Sequence, residues 1–124
     1  QLIKSVLGKN TKSAYQGRIY VDSKAQKTDG YQLSKAILLD ETSEFNAKPE
    51  LEIYADDVKC THGATIGRLD EKGIFYLRAR GIKREEAQKM MMRAYIGEVL
   101  GGMKNSKAKE ALLEKIIENI PEGE

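Results

Sequence analysis

The apolar residues of this chain change pattern near Leu69, and that change constrains the fold more than any other feature. Before it they come in short bursts: Arg18-Ile19-Tyr20-Val21, Ala36-Ile37-Leu38-Leu39, Leu51-Glu52-Ile53-Tyr54, Val58-Lys59-Cys60 and Ala64-Thr65-Ile66. Bursts of this length suit strands and are too short for helices. Between them lie Gly17, Asp29-Gly30, Asp40-Glu41, Asn46 to Pro49, Asp56-Asp57 and Gly63. These residues accept positive φ or cap the backbone with a side chain, so they are expected in turns. The separations are too long for tight hairpins, and they fit a coil of strands as well as a sandwich. Leu51 and Ile53 point one way and Glu52 and Tyr54 the other.

From Asp70 onward the apolar spacing is helical. Asp70 as N-cap and Gly81 as the C′ residue frame a first helix, with Ile74, Phe75 and Leu77 on its apolar side. A second starts near Lys83, places Glu85 and Glu86 where the helix dipole favours anions, and stops at Gly101-Gly102. Its stripe is Ala87, Met90, Met91, Ala94 and Tyr95. A third runs from about Ser106 to Ile120 with Leu112, Leu113, Ile116, Ile117 and Ile120 on one face, and Pro121 ends it. The stripes serve as the core of a small helical subdomain or as docking faces for a partner. The Met90-Met91-Met92 run leans toward the latter, because thioether side chains adapt to a contact surface.

Composition removes several function classes. The 124 residues carry 21 basic and 19 acidic side chains, a net charge of +2, so bulk electrostatic binding of nucleic acid is not expected. The basic cluster Arg78, Arg80, Lys83 and Arg84 reads as a solvated face or as an anionic-partner patch. Apolar runs are far below the roughly 20 residues that cross a bilayer, and Gln1 to Asn10 lack the apolar stretch of a secretory signal, so no membrane partner is expected. A single cysteine precludes an intrachain disulfide and fits a reducing compartment, hence the cytoplasm. The length suits one domain. The start at Gln1 without methionine suggests a piece of a longer chain.

Cys60-Thr61-His62 is the one chemical constellation. Residues i and i+2 of a strand share a face, so thiol and imidazole address one site. Closed zinc or iron–sulfur sites need about four ligands, and the chain holds no other cysteine or histidine. Asp56 and Asp57 are hard oxygen donors that suit Mg²⁺ or Ca²⁺ better. A soft metal at Cys60 and His62 therefore needs ligands from another chain or from sulfide. The alternatives are a cysteine nucleophile activated by His62 with Asp57 as orienting acid, and a buried cysteine beside a hydrogen-bonded core histidine. Gly63-Ala64-Thr65-Ile66-Gly67 lacks the lysine and length of a phosphate loop.

The run from Lys48 to Glu71, with Cys60-Thr61-His62-Gly63 inside it, and the following Phe75 to Gly81 resemble the C-terminal signature of the SufB/SufD family of iron–sulfur cluster assembly proteins. Gln16 to Val21 and Ala25 to Gln32 resemble the same family, and the likeness covers about residues 1 to 100. Gly63, where the SufB branch typically carries glutamate, and the ending Gly67-x-Leu69-Asp70 place the chain nearer the SufD branch; Ala79 stands where serine is common.

The resemblance implies a mainly β fold with α: a partial right-handed parallel β-helix, its C-terminal rungs in residues 1–69, followed by a helical subdomain in 70–124. It implies a non-catalytic SufD-type scaffold that pairs with SufB through the β-helix and docks the ATPase SufC through the C-terminal helices. Cys60 and His62 fall at the cluster-assembly motif, where the matching histidine lies at the heterodimer interface and SufB supplies other ligands. Tyr76, Arg78 and Arg80 become candidates for the SufC contact. No stably bound cofactor is implied for this piece, only a transient cluster shared with SufB. A helical region and further rungs are expected before Gln1, so the piece exposes an open edge and is expected to self-associate. The remaining alternatives are a cysteine-dependent enzyme using Cys60 and His62, a SufB-like paralogue and a structural β-helix adaptor.

Overall fold

Every strand pairing in the structure, a computed structural model that describes residues 1–120, is parallel, and consecutive strands never pair with each other. The strands are β1 (Leu2–Leu7), β2 (Lys12–Val21), β3 (Asp29–Leu38), β4 (Glu44–Ile53) and β5 (Lys59–Gly67). β1, β3 and β5 form one sheet in that order, and β2 and β4 form a second. Leu2 pairs with Leu33, Leu33 with Gly63, and Lys12 with Glu44, so the chain returns to the same level after about 30 residues. This is a structural repeat with no sequence repeat beneath it.

The strands are longer than the apolar bursts. β2, β3 and β4 each run ten residues. Gly17, Asp29-Gly30, Asn46 to Pro49 and Gly63, expected in turns, lie within strands, and Val58-Lys59-Cys60 and Ala64-Thr65-Ile66 belong largely to the single strand β5. The ladder explains this: a neighbouring strand supplies backbone partners to residues whose own β preference is weak. Pro49 is tolerated because β4 is an edge strand among the described residues. β1 has no counterpart among the bursts, because Lys4 and Ser5 interrupt its apolar residues. Turns do form at Asp40-Glu41 and Asp56-Asp57.

The two sheets face each other across a thin interior. Leu7, Ala36 and Phe45 form its apolar centre, with Tyr15, Leu38 and Ala47 packed against them. The same inward face of β3 carries two buried polar residues, Gln32 and Ser34.

Three helices follow: α1 (Glu71–Arg78), α2 (Arg84–Gly97) and α3 (Ser106–Glu118), with a 3₁₀ turn at Val99–Gly102. Asp70 caps α1 by accepting from the Lys72 amide at 3.0 Å. The helix ends at Ala79, so Gly81 lies two residues past the cap. Its φ of +86° turns the chain toward α2 and suits a residue without a Cβ. α1 lies close on α2 at Gly73, where a Cβ would come within 3.0 Å of Met91 Cε.

The covered faces differ from the expected stripes. Ile74 is buried on α1 but Phe75 is exposed; α2 buries Ala87, Met92 and Ile96 and leaves Met90 and Ala94 exposed. The cause is that α2 serves α1, α3 and the strand region together, which rotates its covered arc toward Met92 and Ile96. α2 ends at Gly97 rather than at Gly101-Gly102, and the 3₁₀ turn carries the chain on to α3. On α3, Leu113 is buried and Leu112 exposed, and Asn105 caps the helix by accepting from the Ala108 amide at 3.0 Å. Pro121 lies outside the described residues.

Ile96, Leu100 and Leu113 form the helical core, against which Val6 of β1 packs. Beside Val6, the Lys4 ammonium donates to the Tyr95 carbonyl at 2.5 Å and to the Glu98 carboxylate, and lies 4.1 Å from the centre of the Tyr95 ring. No helix among the described residues is long and apolar enough to cross a membrane.

Candidate functional site

β5 is an edge of the three-stranded sheet, and its direction is set by pairing with β3: Gly30 opposite Cys60, Gln32 opposite His62, Ser34 opposite Ala64. Residues opposite one another in a parallel pair share a face. Gln32, Ser34 and Ala36 are buried on the inner face of β3, so Cys60 and His62 project to that side. The glycine confirms it. A Cβ on Gly30 would lie 3.3 Å from Cys60 Sγ and 3.7 Å from Ile19 Cγ2 of the opposing sheet. On the other face, a Cβ on Gly63 would lie 3.3 Å from Leu33 Cδ1.

The pair is therefore placed as the spacing predicts, on one face and side by side. Cys60 is half-buried and His62 is exposed. That departs from the buried cysteine with a hydrogen-bonded core histidine: β5 is the last strand of its sheet, so no further strand covers the imidazole among the described residues. No hydrogen bond joins thiol to imidazole, and none joins imidazole to Asp57, whose amide donates to Gln26 Oε1 at 2.9 Å. A nucleophile–base–acid relay is not assembled.

No group of three His, Cys, Asp or Glu side chains within the described residues can hold a metal ion. Thiolate and neutral imidazole suit iron or zinc chemistry, but two ligands from one face leave a metal half-coordinated. Gly63 to Gly67 lie in β5, in extended backbone rather than a phosphate-cradling loop.

Tyr76, Arg78 and Arg80 stand on or just beyond α1, away from the β5 pair in the chain's element order. All three are exposed. The Arg80 guanidinium stacks 3.4 Å from the centre of the Tyr76 ring and donates to the Tyr76 carbonyl at 3.2 Å. Phe75 beside them is 73% exposed, so two neighbouring aromatic rings of α1 face solvent. Arg84 is not part of a free basic cluster, since its guanidinium makes a two-pronged contact with Glu71 at 2.7 and 3.1 Å.

Gln32 is the register partner of His62, Tyr15 engages the Gln32 amide, and the residue type of neither marks it as functional. Gln32 Nε2 donates to the Tyr15 hydroxyl and, at 3.3 Å, to Gln1 Oε1. Gly17 makes the space for this contact, because a Cβ there would overlap both Gln32 Nε2 and the Tyr15 hydroxyl. The only sequence signal for Gln32 is its distance of about 30 residues from His62, which acquires meaning once the strand pairing is known.

Residues 1–95 match the family described as the SufBD core domain of the SUF system for FeS cluster assembly. An iron–sulfur cluster assembly protein SufD of Escherichia coli is 41% identical over 123 residues, which is 99% of this chain and 29% of that protein. A SufBD family protein of Synechocystis is 39% identical over 100 residues, 81% of this chain and 22% of that protein. One from Archaeoglobus fulgidus is 33% identical across the whole chain, which covers 32% of its length. The chain thus spans about a third or less of each of these relatives.

Proposed function

The chain belongs to the SufBD core family of SUF-system iron–sulfur cluster assembly proteins, and from that membership we propose that it works as part of a SufD-type scaffold rather than as a catalyst. The observation that carries the proposal is the half site on β5: Cys60 and His62 share a face at a sheet edge, with no third ligand grouped with them among the described residues. A site of that kind becomes useful when a second protein brings the remaining ligands. The iron–sulfur cluster is then cargo built between the two proteins, with no resident cofactor of this chain. SufB is the proposed second protein, paired through the strand region.

The alternating parallel sheets and their return every 30 residues or so support the view that residues 1–69 are rungs of a right-handed parallel β-helix and that 70–124 form a separate helical subdomain. The exposed Phe75 and Tyr76, with Arg78 and Arg80, supply an aromatic and basic surface suited to docking the ATPase SufC. The proposed location is the cytoplasm. Unpaired strand edges at both ends of the sheets support self-association of the chain when taken alone, and a monomer in light scattering at high concentration counts against it.

The test of the function is His62→Ala in the full-length protein, co-expressed with SufB and SufC and reconstituted anaerobically with iron and sulfide. Cluster formation is expected to fall several-fold while the complex still forms. Undiminished cluster formation would remove His62 from the mechanism.

A further inference from the structure

We propose that Gln32 is a positioning residue for His62: its Oε1 accepts the Nδ1–H of the imidazole and so leaves Nε2 as the lone pair presented to the cluster. The inference rests on the cluster role proposed for His62 and adds the group that orients it. Gln32 and His62 are register partners on β3 and β5 and share the inner face, which places their Cα atoms about 5 Å apart. Nδ1 is the ring nitrogen nearer its own strand and hence nearer a side chain on the adjacent one.

The amide of Gln32 is committed at one end and free at the other. Its Nε2 is held by the Tyr15 hydroxyl and Gln1 Oε1, an arrangement that the missing side chain of Gly17 permits. Its Oε1 has no partner among the described residues, although the residue is only 1% exposed. Buried acceptors are almost always satisfied, so a carbonyl oxygen clamped in place and left open is available to a donor from the adjacent strand. Other neighbours of His62 on this face do not compete. Gly30 and Ala64 carry no acceptor, and the Cys60 thiol packs over Gly30 toward Ile19. Ser34, whose hydroxyl also has no partner among the described residues, lies opposite Ala64 rather than His62.

A ligating imidazole works through whichever nitrogen lacks the proton, and that choice is set by the hydrogen bond the other nitrogen makes. Free imidazole side chains favour the Nε2–H form, which would direct the wrong nitrogen at a metal. A fixed acceptor at Nδ1 reverses the preference before any cluster arrives.

The experiment is long-range ¹H–¹⁵N correlation of the ¹⁵N-histidine-labelled full-length protein, with the His62 signals identified by their loss in His62→Gln. The wild type is expected to show mainly the Nδ1–H form. Gln32→Leu should shift the tautomer ratio toward Nε2–H by about fivefold, the population change that one ordinary hydrogen bond carries. Gln32→Glu keeps the acceptor and should keep the Nδ1–H form, and Ser34→Ala should change nothing. A wild-type imidazole protonated mainly at Nε2 overturns the proposal without recourse to any variant, as does a Gln32→Leu ratio equal to wild type. Cluster assembly is measured alongside on His62→Ala: a tautomer shift in Gln32→Leu together with undiminished assembly in His62→Ala keeps the Gln32 contact and overturns the cluster role of His62, so the two failures are separable.

Discussion

In the strand region the covered side chains belong to successive levels of two facing sheets, Leu7 and Ala36 from one and Phe45 from the other. In the helical end Ile96, Leu100 and Leu113 come from α2, the 3₁₀ turn and α3, and meet in one cluster. The first arrangement is thin and admits small and polar residues, Ala36, Ser34 and Gln32 among them. The second is a conventional amphipathic packing that leaves Phe75, Tyr76 and Leu112 outside. The difference separates two jobs. A ladder stacks residues about 30 apart against each other, so the chemistry of one strand can be supported from the next. Helices give no such register and leave large apolar side chains on the surface, Phe75 and Tyr76 among them.

The comparison breaks most readily at Ile74, which is 1% exposed. Ile74→Ala should cost about 2–5 kcal/mol through lost burial and a residual cavity. Hydrogen exchange should accelerate in α1 and α2 while β3 stays protected. Equal loss of protection in β3 would mean that the two regions are one cooperative unit.

The converse change is Gly17→Ala, which drives a methyl into the Tyr15–Gln32 contact. A loss of about 1–3 kcal/mol is expected from overpacking, read as a lower urea midpoint with exchange increased in β2 and β3 and not in α3. A smaller effect confined to the helical end should follow Asn105→Ala, which removes the cap on the Ala108 amide and costs about 1 kcal/mol. Fraying of α3 by exchange, with β2–β4 unchanged, is the expected pattern.

The smallest effect lies at the joint between the regions. The Lys4 ammonium hydrogen-bonded to Glu98, with Lys35 adding attraction, holds the Glu98 carboxyl below its ordinary value of 4.5. A lowered acid stabilises the fold above its ordinary value, and that contribution is lost as the pH falls from 4.5 through the lowered value. Glu98→Gln should therefore flatten part of the acid dependence of the denaturation midpoint below pH 4.5. An unchanged acid profile would show that the pair contributes nothing to holding the helices on β1. At the same joint, burial, then the neighbouring Glu98 charge, pushes the Tyr95 hydroxyl up to about 12, so it stays neutral throughout this range.

How much was legible beforehand varies by region for a physical reason. Helix starts are local: Asp70 caps α1 through an amide two residues away, and Glu85 and Glu86 fall in the first turn of α2 as their charge requires. Helix faces are not local: Met90 and Phe75 lie on the apolar stripes and are nonetheless exposed, because neighbouring elements decide which arc is covered. Strands were legible as bursts but not in extent. β1 hides its alternation because Ile3, Ser5 and Leu7 face the interior while Lys4 lies under the helices, its side chain only 3% exposed. Cys60 and His62 could be placed on one face from their spacing, since alternation in a strand needs no knowledge of its partner.

The amino-acid sequence by itself determined the division near Leu69, the Asp70 cap and the shared face of Cys60 and His62, because each depends on residues a few positions apart. Tertiary structure alone decided that the strands alternate between two parallel sheets, that Gln32 stands beside His62 and that Lys4 is enclosed by Tyr95 and Glu98. Those contacts join residues roughly 30 to 90 positions apart, and their energies exist only once the chain has closed the intervening loops.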